Sequence, residues 1–241
     1  MINIIRSLAF NFCYYCCLAI ASVTFIILYI MPPYFTIKAT YFCCKIILFC
    51  MRKVAGIDLE IRGVENIPQT GAIIASKHQS AMETFFFHTI LKRCVYVLKR
   101  ELLMVPLFGW SLAKSGCIGI DRKAGGKAMK KMLNGCKKAL GKNNQVIIFP
   151  EGTRRMPDAS PDYQPGIALI YSACNVPVVP VALNSGLFWP KRSFIKKKGK
   201  IIIEFLKPID VGMDKRNFMK KLEEEIETNS NKLRKETEQF L

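Results

Sequence analysis

The sequence has 241 residues, 51% of them hydrophobic, so it can bury one substantial core and does not require a second globular unit. Its 36 Lys and Arg exceed its 18 Asp and Glu, and the excess lies mainly in residues 92–142, which favours contact with lipid headgroups, nucleic acid or phosphorylated substrates. Because the ten cysteines lie in apolar surroundings and only two histidines are present, we expect reduced cysteines and no metal site.

The first predicted element is a membrane segment. Residues 8–31 are apolar and uncharged, and about 20 such residues suffice to cross a bilayer. An uncleaved anchor is favoured over a signal peptide, because the run exceeds a usual signal core and no small-residue cleavage site precedes Pro32. A second apolar stretch, residues 34–51, carries Lys38 and Lys45 and is typical of a helix that lies in the membrane interface. The first helix then either spans the bilayer or re-enters beside the second.

The charge of this region predicts its orientation. Residues 1–53 contain five Lys or Arg and no acid, which suits an anionic cytoplasmic leaflet. We therefore predict N-terminal membrane-anchoring helices in residues 1–53 and a globular domain in residues 54–241. The predicted location is the inner (cytoplasmic) membrane, with the domain on the cytoplasmic side.

Short apolar runs separated by polar and helical stretches follow residue 54 and predict an α/β fold, a mixed sheet flanked by helices. The predicted strands are residues 57–61, 72–75, 95–98, 117–120, 146–149, 176–183 and 200–205. Pro177 and Pro180 lie in the sixth run and indicate an edge or irregular strand rather than a central one. Apolar residues at helical spacing predict amphipathic helices that include residues 129–140 and 218–226.

The segment from Lys77 to Thr84 carries the first candidate chemistry. His78 lies between a predicted strand and an apolar helical run, at the kind of junction where α/β proteins place their sites. A carboxylate at Glu83 would orient one ring nitrogen while the other removes a proton. Glu83 also fits a capping box, in which its carboxylate binds the Ser80 backbone amide. The sequence leaves both roles open.

Two further strand ends carry candidate ligands. In the block 149–154, Gly152 permits close approach of a ligand to the backbone, Arg154 offers a fork for a phosphate, and Glu151 suits substrate hydroxyls. A β-turn with surface charges explains the same residues. Arg122, after the fourth predicted strand, is a phosphate ligand or the member of a surface ion pair.

These blocks, in this order and spacing, resemble the 1-acylglycerol-3-phosphate acyltransferases of the glycerolipid acyltransferase superfamily, over residues 54–210 and the N-terminal helices. The third block, F-P-E-G-T-R at residues 149–154, is that of the family without change. The first block departs, because Glu83 stands where Asp is usual and Lys77 where Asn is frequent. The resemblance implies the αβ fold of that superfamily, with membrane helices before it.

The resemblance also implies a reaction and its residues. A fatty acyl group would pass from an acyl-CoA or acyl-carrier-protein thioester to the sn-2 hydroxyl of lysophosphatidic acid, giving phosphatidic acid. His78 would be the general base, oriented by Glu83, with no acyl-enzyme and no metal or bound cofactor. Arg122 and Arg154 would hold the acceptor phosphate. The substrate-binding residues implied are Lys99, Arg122, Glu151, Gly152, Thr153 and Arg154.

The basic stretch 92–142 predicts contact with an anionic membrane surface or docking of an acidic acyl carrier protein. The loop 188–200, with Trp189, Phe194 and six Lys or Arg, predicts a further interfacial contact. Two alternatives remain: the same chemistry on a lyso-ornithine lipid or glycerol 3-phosphate, and a non-catalytic protein that binds anionic membranes. No nucleic-acid partner is expected, because basic residues and stacking aromatics do not interleave on a recognisable module.

Overall fold

The structure is a computed structural model that describes residues 2–121 and 125–238. Its helices are α1 (Ile2–Leu28), α2 (Pro33–Cys50), α3 (Met82–Ile90), α4 (Arg100–Leu103), α5 (Phe108–Lys114), α6 (Gly125–Leu140), α7 (Gly166–Cys174) and α8 (Lys215–Glu238). Its strands are β1 (Ile57–Arg62), β2 (Ile73–Ser76), β3 (Cys94–Lys99), β4 (Ile118–Ile120), β5 (Gln145–Ile148), β6 (Val178–Leu183) and β7 (Gly199–Phe205). A π-helical turn, Met51–Ala55, joins α2 to β1.

The strands form one mixed sheet in the order β1-β7-β6-β2-β5-β3-β4. Strands β6, β2, β5, β3 and β4 run parallel to one another, whereas β7 is antiparallel to β6 and parallel to β1. The predicted mixed sheet is confirmed, and each predicted strand has its counterpart in the structure. Because the carboxyl ends of parallel strands lie at one edge, the segments that follow β2, β3, β5 and β6 meet there.

Helices cover both faces of the sheet, because its inner strands are buried on both sides. Neighbouring residues of β2 point to opposite faces: Ile74 packs in a core with α1, α2 and α3, and Ile73 in a core with α6, α7 and α8. All ten cysteines are free, as expected. The predicted helical stripes are confirmed as buried: Met132, Cys136 and Leu140 in α6, and Phe218, Leu222 and Ile226 in α8.

The prediction for β6 is wrong about its place in the sheet, although the irregularity that it names is present. The prolines predict an edge or irregular strand rather than a central one, but β6 lies inside the sheet, between β7 and β2. An irregular pairing accommodates Pro180, which has no N–H to donate. Val181 pairs with Phe205, and the next pair of this antiparallel ladder is a single bridge between Val178 and Ile209. The segment 205–209 therefore has one residue more than the segment 178–181, and this extra residue lies opposite Pro180.

The N-terminal helices α1 and α2 fold back on each other and present a broad apolar surface. Residues Ile2–Leu28 and Pro33–Ala55 are long and apolar enough to cross a membrane. Large apolar side chains such as Phe12 are exposed on the outer side of this hairpin. On its inner side, Phe10 of α1 and Ile47 of α2 are fully buried in the same core as the sheet. The division at residue 53 stays a prediction.

Both ends of α1 are held to the rest of the protein by polar contacts. Near its start, the Ser7 hydroxyl oxygen accepts from the Lys196 backbone N–H at 2.8 Å, and four residues on Asn11 Nδ2 donates to the Phe194 carbonyl at 3.0 Å. Beyond its end, the Lys114 ammonium of α5 donates to three carbonyl oxygens of the following turn, that of Leu28 among them at 2.6 Å. The hairpin therefore lies along the globular body instead of projecting from it.

The loop 188–200 differs from its prediction in one respect. Trp189 is only 5% exposed, because its ring packs edge-on against that of Phe10 with centroids 5.0 Å apart. Phe194 is exposed, as an interfacial contact requires. The prediction that Trp189 faces the interface is thus wrong, since α1 covers this ring.

Candidate active site

The first candidate residue, His78, lies where β2 leads into α3. Side chains alternate beyond the strand end, so Lys77 points toward α8 on one face of the sheet and His78 toward α3 on the other. The backbone here is bound on both sides: Lys77 N–H donates to the Val181 carbonyl at 3.0 Å, and the His78 carbonyl accepts from Arg155 N–H at 2.8 Å. His78 is thereby held at the edge where β2, β5 and β6 end.

His78 and Glu83 come together as the sequence predicts. Nδ1 of His78 lies 2.9 Å from Oε2 of Glu83, whose side chain is fully buried, while that of His78 is 13% exposed. An ionised carboxylate only accepts hydrogen bonds, so Nδ1 carries the proton and Nε2 carries the lone pair. The nitrogen that a general base needs is therefore the one left free by Glu83.

The Glu83 carboxylate also returns to the Ser80 backbone amide just before the start of α3, so one group makes both of the contacts that the sequence leaves open. The Ser80 backbone N–H donates to Oε1 at 3.1 Å and to Oε2 at 2.9 Å. Ser80 Oγ accepts from the Met82 N–H at 3.1 Å, and the Ser185 hydroxyl donates to Glu83 Oε1. Because every partner of this carboxylate is a donor, the group is fixed in one orientation.

An aromatic ring fixes the plane of the His78 imidazole. Phe149 stacks on it with centroids 3.8 Å apart and planes inclined by 16°. Behind Phe149, Tyr96 donates its hydroxyl to the Glu83 carbonyl at 3.2 Å and so ties the first turn of α3 to β3. An imidazole that is stacked on one face and bonded at Nδ1 keeps Nε2 pointing in one direction.

The block 149–154 forms a turn beside His78. Gly152 has φ of +65°, in the left-handed region that favours glycine, and its N–H donates to the Phe149 carbonyl at 2.9 Å. Thr153 is exposed and Arg154 is partly exposed. Within residues 2–121 and 125–238, the Arg154 guanidinium forms no ion pair or hydrogen bond, which leaves it available to an anionic ligand.

Glu151 lies behind His78. Its Oε1 is 2.9 Å from Lys77 Nζ, and its Oε2 accepts the backbone N–H of His78 at 3.4 Å. Burial raises the pKa of the Glu151 carboxyl, and the Lys77 ammonium opposes that rise. The structure therefore places Glu151 as a support for His78, and its predicted contact with substrate hydroxyls stays a prediction.

Of the two remaining predicted ligands, Lys99 lies farther along the sheet edge. Lys99 ends β3, with β5 between it and β2, and its half-exposed side chain pairs with Glu101 at 3.2 Å. Arg122 lies outside the described residues. The structure thus gathers His78, Glu83 and the 149–154 turn in one place, and it leaves Lys99 in a surface ion pair.

This arrangement is suited to proton transfer. Nε2 can take a proton from an incoming hydroxyl, and the buried carboxylate stabilises the imidazolium that results. In the described chain no hydroxyl or thiol is hydrogen-bonded to Nε2 of His78. The geometry therefore favours direct activation of an external acceptor over a covalent intermediate.

Comparison with known proteins agrees with this geometry. The family model described as Acyltransferase matches residues 58–184, which is more than half of the chain and includes His78, Glu83 and the 149–154 turn. The chain belongs to the acyltransferase family. The family resemblance found in the sequence is confirmed.

Relatives of this acyltransferase-family chain share one name. A 1-acyl-sn-glycerol-3-phosphate acyltransferase of Pseudomonas aeruginosa is 42% identical over 158 residues, which are 66% of this chain and 62% of that protein. One of Saccharomyces cerevisiae is 29% identical over 164 residues, 66% of this chain and 54% of that protein. The chain thus spans between 54% and 62% of these two relatives.

The predicted acyltransferase fold is confirmed by a solved structure. The crystal structure of the 1-acyl-sn-glycerophosphate (LPA) acyltransferase from Thermotoga maritima superimposes with a TM-score of 0.76 at 20% identity. The superposition covers 96% of this chain and 97% of that one. The likeness therefore includes the N-terminal helices as well as the sheet.

Some contacts of the acyltransferase-family site are not evident from the sequence. Ser185 follows β6, and its only local signal is its place near a strand end. Phe149 belongs to the recognised block, but nothing local shows that it stacks on the base. Lys77 stands out only as a departure from the family pattern. Glu227 lies 150 residues from its partner Lys77, so no local pattern connects them.

Proposed function

We propose that this protein transfers a fatty acyl group from an acyl thioester to the sn-2 hydroxyl of lysophosphatidic acid, which forms phosphatidic acid. The observation that carries the proposal is the His78–Glu83 pair, with Nε2 free and Arg154 unpaired within the described chain. A base next to an available guanidinium suits an acceptor with both a hydroxyl and a phosphate. The names of the relatives from Pseudomonas aeruginosa and yeast support the same acceptor.

In the proposed reaction, His78 Nε2 removes the proton of the acceptor hydroxyl as the oxygen attacks the thioester carbonyl. The C–O bond forms, and the imidazolium is stabilised by Glu83. The tetrahedral intermediate then expels the thiolate as the C–S bond breaks. The proton on Nε2 passes to the departing sulfur, which yields the free thiol and restores neutral His78. The thioester is already activated, so the proposal includes no further cofactor.

In the proposed complex, Arg154 and Arg122 hold the acceptor phosphate, with Lys99 as an additional cation and Thr153 at the exposed end of the turn. Arg154→Lys tests the fork, because lysine keeps the charge but loses bidentate bonding. We expect the KM for lysophosphatidic acid to rise about 10-fold and kcat to change little. The reason is that the phosphate contact would be equally strong in the ground state and in the transition state. An unchanged KM contradicts the assignment.

We also propose that the protein works at an anionic leaflet, on the cytoplasmic side of the inner membrane. Lys38 and Lys45 lie over the rings of Tyr34 and Tyr41 at 5.9 and 5.2 Å, as expected of lysines that reach toward headgroups. A helix held at both ends would have to break those contacts to cross the bilayer, so the hairpin re-enters one leaflet. Impermeant labelling of an Ile30→Cys variant in oriented vesicles tests this, and labelling from the far side would contradict it.

The main experiment supplies purified protein with labelled oleoyl-CoA or oleoyl carrier protein and a panel of acceptors. Lysophosphatidic acid should be acylated, and His78→Ala should lower kcat by at least about 1,000-fold. His88→Gln is the matched control, because it removes the other histidine of the chain, whose Nδ1 contacts Cys94 Sγ and not the Glu83 carboxylate. Full activity of His78→Ala would refute the catalytic role.

The acceptor panel separates the alternatives. If lysophosphatidic acid is refused while a lyso-ornithine lipid or glycerol 3-phosphate reacts, the chemistry stands and the acceptor is wrong. If neither donor yields product with any acceptor, the protein is a non-catalytic membrane binder. The relative rates with the two donors decide between coenzyme A and carrier protein.

A further inference from the structure

Lys77 lies at the centre of a buried ionic cluster on the face of the sheet opposite to His78. Its ammonium is 2.9 Å from Glu151 Oε1 and 2.7 Å from Glu227 Oε1, and its side chain is 1% exposed. Tyr163 donates its hydroxyl to Glu227 Oε1 at 2.9 Å. The ends of β2 and β5, the loop before α7, and α8 therefore meet at one cation.

This cluster is connected to both parts of the candidate site through the backbone. Glu151 Oε2 accepts the His78 N–H at 3.4 Å, and Glu151 belongs to the turn that carries Arg154. The next residue, Arg155, donates its N–H to the His78 carbonyl at 2.8 Å. A displacement of the Glu151 carboxylate would therefore change the position of Arg154 relative to the base.

The charges of the cluster depend on one another. Burial raises the pKa of Glu151, and Lys77 is the group that most opposes this rise. In the described chain, the charged and titratable groups that face Glu151 are Lys77, Glu227 and Tyr163. Burial and the Glu227 charge raise the pKa of Tyr163, so it stays a neutral donor. Without Lys77, a buried Glu151 would lose its counter-charge and take up a proton.

We infer that Lys77 and Glu227 are positioning residues, which lock α8 against the turn that carries Arg154 and so set the place of this guanidinium relative to His78. The inference rests on the proposed acyl transfer. Helix α8 lies beyond the residues matched by the family model, 58–184, so the cluster joins a segment outside that region to the site. Lys77 acts through Glu151 and does not itself reach the reacting atoms.

Three variants test this role, with Glu224→Gln as the matched control, an exposed glutamate of the same helix. Lys77→Met should lower kcat/KM for the acceptor about 100-fold, mainly through KM, because misplaced binding groups have effects of this size. Its pH–rate profile should gain an inflection above the usual pKa range of a glutamate, with activity rising as Glu151 ionises. Glu227→Gln should lose about 5-fold, since its amide oxygen still accepts from Lys77.

The double variant Lys77→Met/Glu151→Gln distinguishes positioning from simple stabilisation. The introduced glutamine has no carboxyl to titrate, so the inflection should disappear. It still accepts the His78 N–H, so kcat/KM should be about 10-fold higher than that of Lys77→Met. A double variant that is no better than Lys77→Met and keeps the inflection overturns the inference. A lower melting temperature of Lys77→Met with wild-type kinetics also overturns it.

A measurement without turnover separates this inference from the proposed function. Labelling histidine with ¹⁵N yields backbone amide signals from two residues only, His78 and His88. Glu227→Gln, which changes no residue next to His78 in the sequence, should shift the His78 amide and leave that of His88 in place. A shifted His78 amide supports positioning even if wild-type protein acylates no acceptor, an outcome that would refute the proposed function alone. An unshifted His78 amide overturns the inference even if acyl transfer proceeds.

Discussion

Replacement of Glu83 by Gln separates the two roles of its carboxylate. Its partners are all donors: Nδ1 of His78, the Ser80 amide and the Ser185 hydroxyl. Gln keeps the shape but turns one acceptor into an NH₂ donor, so two donors face each other in a fully buried site. An unsatisfied buried donor costs about 1–3 kcal/mol. At about 2–4 °C per kcal/mol for a chain of this size, the Tm should fall by about 2–12 °C.

The expected effect of Glu83→Gln on turnover is larger. The amide cannot stabilise an imidazolium, and its NH₂ can donate to Nδ1, which would leave the proton on Nε2 and remove the base. In a serine protease triad the equivalent change from carboxylate to amide lowers kcat about 10,000-fold. We expect a kcat lower by at least about 1,000-fold here, with the donor KM little changed.

Initial rates at saturating labelled donor, with thermal melts of the same samples, measure both effects. Ser80→Ala is the matched control, because it removes only the hydroxyl that accepts the Met82 N–H and should lose about 1 kcal/mol as a cap. Its kcat should stay near wild type. If Glu83→Gln melts like Ser80→Ala and keeps a tenth or more of wild-type kcat, the orienting role is refuted and Glu83 is a cap alone.

Three further substitutions test other contacts. Phe149→Leu removes the ring stacked on His78 and should lower kcat about 10-fold in steady-state assays, and an unchanged kcat would show that Glu83 alone orients the base. Burial lowers the pKa of His88 from 6.5 to about 4, so the native state resists protonation and the unfolding free energy falls between pH 6.5 and 4, by up to about 3 kcal/mol. In denaturant melts, His88→Leu should lose less unfolding free energy than wild type between these pH values. Equal losses would contradict the attribution of this pH dependence to His88. Lys114→Met removes three bonds to the turn after α1, so amide exchange there should become about 10-fold faster, whereas exposed Lys138→Met should leave it unchanged.

The sequence predicts the strands better than their places in the sheet. A short apolar run predicts each described strand, because a strand that is buried on both faces needs apolar side chains at consecutive positions. Pro180 shows the limit of such local rules. Its missing donor argues against an inner strand, yet the extra residue between Phe205 and Ile209 removes the need for that donor. This partner lies far along the chain, where no local pattern includes it.

Contacts of the site between residues close in the sequence could be predicted, and contacts between distant residues could not. His78 and Glu83 are five residues apart, so turn and cap chemistry suffice to bring them together. Ser185 reaches Glu83 across 102 residues, and only the pairing of β6 with β2 creates that contact. No local pattern predicts the burial of Lys77, because the carboxylates that permit it come from distant elements.

The burial of Phe10 and Ile47 makes the apolar N-terminal hairpin inseparable from the packing of the candidate site. Both fill the core that also holds Met82 and Phe86, the inward side of the helix that carries Glu83. Cutting the chain after residue 53 to obtain a soluble form would empty this space, at a cost of about 2–5 kcal/mol for each large side chain lost. By the same packing, any force on the hairpin, such as that of a bilayer in the proposed setting, would be transmitted to the helix that carries Glu83.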